Sequence, residues 1–271
     1  MAGTVVVFDF DGTIIDCDSD YWVVDGLGAT EIFERLLPTM PFNTLMDSMM
    51  KEIHEQGRSV EEVAHILKSA PLDPHITAVI KSAHALGCEL RIVSDANSFF
   101  IETILQHHGI LSFFSEIHTN PSYVDGEGRL RISPYHNFAE SSHGCCSCPP
   151  NMCKSLILKR VRASAAADGK KRFIYLGDGK GDYCSSLQLT EHDFVMPRKR
   201  FPLSELISGN PLLLKAQVHE WTDGEEQARV LLRLINQCSS ADDGSRHQPA
   251  LDYVSLTALS DPNGFKKKYL S

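Results

Sequence analysis

The chain has no uninterrupted apolar run of the ~18 residues that a membrane-spanning helix requires, and no basic segment followed by an apolar one at its N-terminus. The expected location is therefore cytoplasmic, with no membrane partner. It also lacks positive charge: 26 Lys and Arg against 35 Asp and Glu leave a formal net charge of -9. Nucleic acid affinity draws on a basic surface that releases counterions, so no nucleic acid partner is expected. Internal repeats are absent, and nothing in the sequence points to a protein partner. Eight cysteines are present, but in a chain of this length without an export signal they read as reduced thiols rather than a disulfide frame.

What is present is an alternation of short apolar runs and helical patterns within 271 residues, of which 42% are hydrophobic and 23% charged. TVVVFDFD (4–11), CELRIVSDAN (88–97) and RFIYLGDGKGD (172–182) are β-branched or aromatic runs that stop at Ser, Asp or Gly. Helical periodicity separates them, in HITAVIKSAHALG (75–87), FFIETILQHHG (99–109) and NMCKSLILKRVRASAA (151–166). Such alternation predicts an α/β fold with a doubly wound, Rossmann-like parallel sheet, whose ligands bind beyond the carboxyl ends of the strands. Residues 17–73 read as mostly helical, with a capping box from Ser59 to Glu62. They are expected to form a small helical cap inserted after the first strand; the alternative is that these helices pack on the sheet. The core domain would then comprise 1–16 and 74–238. Residues 239–271, which include Lys266–Lys268, read as a C-terminal tail. YVDGEGRLRISP (123–134) predicts a hairpin near the edge of the sheet.

The polar strand ends carry the chemistry. Asp9 and Asp11 are two positions apart, a spacing that turns both carboxylates toward one site where the first strand runs out. Two acids that close raise one another's pKa unless a cation joins them, and a carboxylate-rich site suits Mg2+. Asp178 at the third strand end supplies a further carboxylate, and Gly177, Gly179 and Gly181 allow backbone to crowd around it. Ser94 after the second strand and Lys154 at a helix start add a hydroxyl donor and a fixed positive charge, groups suited to phosphoryl oxygens.

DFDGT (9–13), Ser94 in VSDAN, Lys154 in NMCK and GDGKGD (177–182) together resemble the four ordered motifs of the haloacid dehalogenase superfamily of phosphatases. SDANSFFIETIL, CPPNMCK and EWTDG (220–224) resemble more narrowly its phosphoethanolamine/phosphocholine phosphatase branch, whose plant members include inorganic pyrophosphatases. The chain departs from that branch at Gly12, where relatives often carry Lys, and from many superfamily members at Gly181, where Asn is common. The resemblance implies an Mg2+-dependent hydrolase in which Asp9 attacks phosphorus to form an aspartyl-phosphate and Asp11 acts as acid and then base. It implies Mg2+ held by Asp9, the backbone carbonyl of Asp11 and Asp178. Ser94 and Lys154 would hold phosphoryl oxygens, and Asp182 would orient Lys154 or a water on the metal.

By the same resemblance Asp20 and Asp95 match positions that hold substrate, where carboxylates would attract an ammonium and Trp22 or Tyr21 could offer a cation-π face. Helix capping is the structural alternative for Asp20, Asp95, Ser94 and Asp182. Pyrophosphate would instead call on basic residues such as Arg198, Lys199 and Arg200. The expected substrate is pyrophosphate, phosphoethanolamine or phosphocholine, with another small metabolite such as thiamine monophosphate as the alternative. Two non-enzymatic readings remain, a phosphorylation-switched receiver and a catalytically silent binding protein. Cys145, Cys146, Cys148 and Cys153 could bind zinc or form a regulatory disulfide, but show no two C-x₂₋₄-C pairs at knuckle-like separation. A loop of reduced thiols is the plainer reading.

Overall fold

A computed structural model describes residues 3–170 and 172–242. Its first strand, β1 (Thr4–Phe8), is buried at every position. Val5 and Val7 face one hydrophobic cluster, Val6 and Phe8 the other, which is why the segment is apolar throughout instead of alternating. After β1 come four helices, α1 (Ser19–Gly26), α2 (Thr30–Leu36), α3 (Phe42–Glu55) and α4 (Val60–Leu67). Helix α1 packs on α2 and α4. The capping box expected at Ser59 and Glu62 is present at the start of α4.

The chain then runs through α5 (Pro74–Ala85), β2 (Glu89–Asn97), α6 (Ser98–His107) and β3 (Phe114–Asn120). Next comes a hairpin of β4 (Ser122–Val124) and β5 (Leu130–Ile132), followed by a long irregular stretch to α7 (Lys154–Ala167). The remaining elements are β6 (Arg172–Gly177), α8 (Lys180–Ser186), β7 (Phe194–Pro197), α9 (Pro202–Gly209), β8 (Gln217–Val218) and α10 (Gly224–Asp242). Six strands form one sheet in the order β3-β2-β1-β6-β7-β8, and every neighbouring pair is parallel. The strand order reverses between β1 and β6, the crevice where such sheets bind ligands.

Two details sharpen the sequence reading. The hairpin expected near the edge of the sheet is present and follows edge strand β3, with β4 and β5 forming a separate two-stranded sheet and β5 packed on α3. Arg131 donates both its Nε and an Nη to Asp47 of α3 at 2.8 Å, so a paired charge brings the hairpin over to the inserted helices. The tail expected from residue 239 begins inside α10, which continues to Asp242; residues 243–271, with Lys266–Lys268, lie outside the described residues. No helix among the described residues is long and apolar enough to cross a membrane.

Asp193 ties the β6–β7 side of the sheet together without taking part in any pocket described below. Its buried carboxylate accepts from the Phe173 amide at 2.9 Å, the Thr190 amide at 2.7 Å and hydroxyl at 2.8 Å, and Arg162 at 2.7 Å. Asp193→Ala strands a buried strand amide and a guanidinium. It is expected to lower unfolding free energy by about 3 kcal/mol in urea denaturation, and an unchanged midpoint would contradict this role.

Candidate active site

The site begins where β1 ends. The ladder continues one residue beyond it, with the Asp9 amide donating to Leu176 O at 2.9 Å, so Asp9 is held as rigidly as the strand. The chain then turns through Gly12 at φ 64, and a Cβ there would lie 2.5 Å from Asp178 Oδ2. Any other residue there would be strained by its dihedral and would require Asp178 to move aside. Arg198 secures the far side of this turn by donating to Gly12 O at 2.9 Å and Asp16 at 2.6 Å. Gln227 Nε2 donates to Thr13 O at 3.0 Å.

Next to β1 in the sheet, β6 delivers Asp178, whose carboxylate accepts from Thr13 Oγ1 at 3.3 Å. Asp182 folds back from the first turn of α8 and uses both oxygens. Oδ2 accepts the amides of Asp178 at 3.2 Å and Gly179 at 3.0 Å; Oδ1 accepts Tyr175 Oη at 2.7 Å and Lys154 Nζ at 2.8 Å. A Cβ on Gly177 would come within 2.5 Å of Asp182 Cγ, whereas Gly179 and Gly181 leave ordinary contact distances. The glycine requirement in GDGKGD therefore falls on Gly177. Lys154 opens α7, is 6% exposed and also reaches Asp9 Oδ2 at 2.7 Å.

Asp9, Lys154, Asp178 and Asp182 line one small cavity, of about 260 Å³, together with Asp11, Asp18, Asp20, Phe42, Ser94 and Asp95. All eight residues singled out in the sequence thus lie around the same space: Asp9, Asp11, Asp20, Ser94, Asp95, Lys154, Asp178 and Asp182. The structural alternatives for several of them fall away. Asn97 caps α6, accepting from the Phe100 amide at 3.1 Å, so Ser94 is no cap; it sits buried in β2. Asp18 caps α1 through the amides of Asp20 and Tyr21, which leaves the Asp20 carboxylate to the cavity. Asp182 does serve the start of α8, while also holding Lys154.

Other expectations are corrected. Trp22 turns its indole N–H to Ile66 O at 3.1 Å and does not line the cavity. Tyr21 packs edge-on against Phe33, and the aromatic ring at the cavity is that of Phe42. Arg198 is buried over Trp221 and Phe201, and neither it nor Lys199 nor Arg200 lines the cavity. Trp221 of EWTDG is a support for that arginine, its own Nε1 donating to Met196 O at 3.0 Å. Sequence reasoning missed the residues that hold the acids: Ser19, whose amide and hydroxyl donate to Asp11 at 2.9 and 3.2 Å, and Asn151 and Asn120, which donate to Asp95 at 2.5 and 3.1 Å. Among these, only Asn151 stands in a quoted motif, CPPNMCK.

The electrostatics are those of an undercompensated acidic pocket. Burial, then Asp182, push the Asp9 pKa well above the usual carboxylate range, against the pull of Lys154. Burial, then Asp18 and Asp20, push up Asp11. Burial and Asp182 raise Asp178 to about 7, and burial raises Asp18 to about 6. Lys154 goes up despite its burial, because Asp182 and Asp9 stabilise its charge. Carboxylate oxygens of Asp9, Asp178 and Asp182 lie within 4.8 Å of one another. Asp182 carries two donors on each oxygen, whereas Asp9 carries one on each and Asp178 accepts from Thr13, so Asp9 and Asp178 are the side chains with lone pairs left for a hard divalent cation. An excess of buried negative charge with oxygen donors fits Mg2+.

A protein-family model described as Putative Phosphatase matches residues 4–235. The chain is 58% identical over 248 residues to inorganic pyrophosphatase 2 of Arabidopsis thaliana, covering 91% of this chain and 89% of the relative. It is 33% identical over 245 residues to the phosphoethanolamine/phosphocholine phosphatase of Gallus gallus, covering 86% of this chain and 89% of that one. Among solved structures, a HAD family hydrolase from Salmonella enterica superposes with a TM-score of 0.58 at 16% identity, covering 86% of this chain and 71% of that one. Identity that low speaks for the fold alone.

A cation at Asp9 and Asp178 must compete with protons. Burial and Asp182 push the Asp178 carboxyl up to about 7, so protonation below that pH opposes the cation and ionisation above it favours the cation. In thermal unfolding, Mg2+ is expected to raise Tm at pH 8, with a half-saturating concentration that climbs by up to about tenfold per pH unit below ~7. Asp178→Asn should abolish the shift; a Mg2+ effect indifferent to pH or to that substitution would contradict the assignment.

Proposed function

We propose that this chain, which belongs to the Putative Phosphatase family of haloacid dehalogenase-like hydrolases, is a Mg2+-dependent phosphatase of small soluble phosphate compounds acting through an aspartyl-phosphate. The observation that carries this reading is the 2.7 Å pair between Asp9 Oδ2 and Lys154 Nζ on the wall of an otherwise acidic cavity. A nucleophilic carboxylate must be ionised, yet burial and neighbouring acids oppose ionisation of Asp9. Lys154 offsets part of that opposition. Asp9, the backbone carbonyl of Asp11 and Asp178 would hold Mg2+, which would supply the remaining positive charge for the transferring phosphoryl group.

In the proposed reaction an Asp9 oxygen attacks phosphorus as the bond to the leaving oxygen breaks. Asp11 gives its proton to that oxygen. It suits the task because burial, Asp18 and Asp20 push its pKa upward and so favour the protonated carboxyl, while Ser19 fixes its orientation. Water then attacks the aspartyl-phosphate, Asp11 takes its proton, and the Asp9–phosphorus bond breaks to release phosphate. Ser94 and Lys154 steady the oxygens of the phosphoryl group, and Asp182 and Tyr175 keep Lys154 in place. Helices α1–α4 would serve as a cap, lending Asp18, Asp20 and Phe42 to the cavity.

Pyrophosphate is favoured as substrate by the 58% identity to a relative named for that activity. A second reading rests on the acidic tier of Asp18, Asp20 and Asp95, with Lys154 the one cationic side chain among the lining residues. Carboxylates there would attract the ammonium of phosphoethanolamine or phosphocholine.

Asp9→Asn is expected to abolish phosphate release with the circular dichroism spectrum unchanged, and Asp11→Asn to lower kcat by ~10²–10⁴. Undiminished turnover in Asp9→Asn would require a different nucleophile. A kcat/KM panel over pyrophosphate, phosphoethanolamine and phosphocholine, repeated with Asp20→Ala, separates the substrates. Loss of an ammonium contact should raise KM for the two amine phosphates about tenfold more than for pyrophosphate. Equal changes across the panel would remove Asp20 from substrate selection.

A further inference from the structure

Beside the catalytic lysine lies a second cluster that phosphoryl transfer does not use, although one member, Cys148, also lines the acidic cavity. Cys145, Cys148 and Cys153, from the irregular stretch before α7, converge with Cys184 of α8, and their four sulfurs lie within 4.8 Å of one another. Cys184 is the member that linear spacing hides. It completes a tetrad that the expected group of Cys145, Cys146, Cys148 and Cys153 does not form, because Cys146 is exposed and stands outside it.

We propose that Cys145, Cys148, Cys153 and Cys184 form a structural Zn2+ site. Tetrahedral zinc with Zn–S bonds of about 2.3 Å sets its sulfurs ~3.8 Å apart. The Cys145 and Cys184 sulfurs are 3.6 Å apart, close to that edge and far beyond the ~2.05 Å of a disulfide. Four thiolates leave no open coordination position, which makes the site structural instead of catalytic. His143 is not a ligand, since its Nδ1 meets the Cys145 amide at 3.1 Å and its Nε2 meets Pro149 O at 2.8 Å.

The segment has reason to need such a clamp. Residues 133–153 contain no helix or strand, a stretch longer than the ~12–15 residues that structureless connections commonly reach. It nevertheless ends at Lys154, whose ammonium must meet Asp9 within hydrogen-bonding distance. Zinc would join the residue before Lys154 to Cys184, two positions after Asp182, and so lock α7 to α8 beside the Asp9–Lys154–Asp182 array. Binding would exchange the thiol protons for the metal, with no change in sulfur oxidation state.

The test is metal analysis of the full chain purified without chelator. About one zinc per chain is expected, retained in Cys146→Ser and Asp178→Asn and lost in Cys184→Ser. Replacement by Co2+ should give thiolate charge-transfer and tetrahedral d–d absorption. Should Cys184→Ser fail to fold, titration of the wild-type chain with a mercurial serves instead, zinc being released in step with thiol modification and monitored by a metallochromic dye. Absence of stoichiometric zinc, loss of zinc in Asp178→Asn, or a Cys145–Cys184 disulfide in non-reducing peptide maps would each overturn the proposal. Because the readout is metal content, the result is independent of whether the aspartate site hydrolyses phosphate.

Discussion

Lys154 sits between Asp9 and Asp182, 2.7 and 2.8 Å from their oxygens, and the rest of the site is built around this single buried cation. Burying three acids against one ammonium is unfavourable unless every remaining lone pair finds a donor or a second cation. The surrounding structure supplies the donors with care. Asp182 receives two backbone amides and the Tyr175 hydroxyl beside its bond to the lysine. Asp9 receives the amide of Phe10 at 2.7 Å. What remains is negative charge on Asp9 and Asp178 facing a cavity, the condition under which a divalent cation binds.

The sheet makes this concentration of charge possible. Adjacent parallel strands β1 and β6 both end at the same edge, so residues separated by most of the chain arrive there side by side. Their rigidity carries past the last strand residue through the Asp9–Leu176 bond and the contact of the Gly12 turn with Asp178. Arg198 holds that turn from behind, itself steadied by Trp221 and Phe201. A basic residue close to the cavity thus serves the backbone, leaving the cavity acidic.

Acidity of the outer wall is the property that a substrate must meet. Asp18, Asp20 and Asp95 come from the start of α1 and from β2, and each is pushed upward in pKa first by burial. Such groups repel a bare anion and welcome a cationic substituent or an accompanying metal. The proposed thiolate site, whose Cys148 also borders the cavity, would add rigidity to the irregular approach to α7.

Much of this was legible in the linear chain. Both-face burial in TVVVFDFD, β-branched runs ending in Asp or Ser, and the Ser59–Glu62 capping box are local patterns with local causes. They fixed the fold class, the parallel sheet and the acids at its edge. Which residues restrain those acids depended on contacts across the chain, such as Ser19 to Asp11, Asn151 to Asp95 and Gly12 against Asp178. The same is true of Arg198, whose charge in MPRKRFP says nothing of the Gly12 carbonyl 186 positions away. Cys184 joins Cys145 across 39 positions for a similar reason. Composition and spacing determine which side chains can serve; only the packing of distant segments decides which of them meet, because that choice belongs to the minimum of the whole fold and to no single stretch of it.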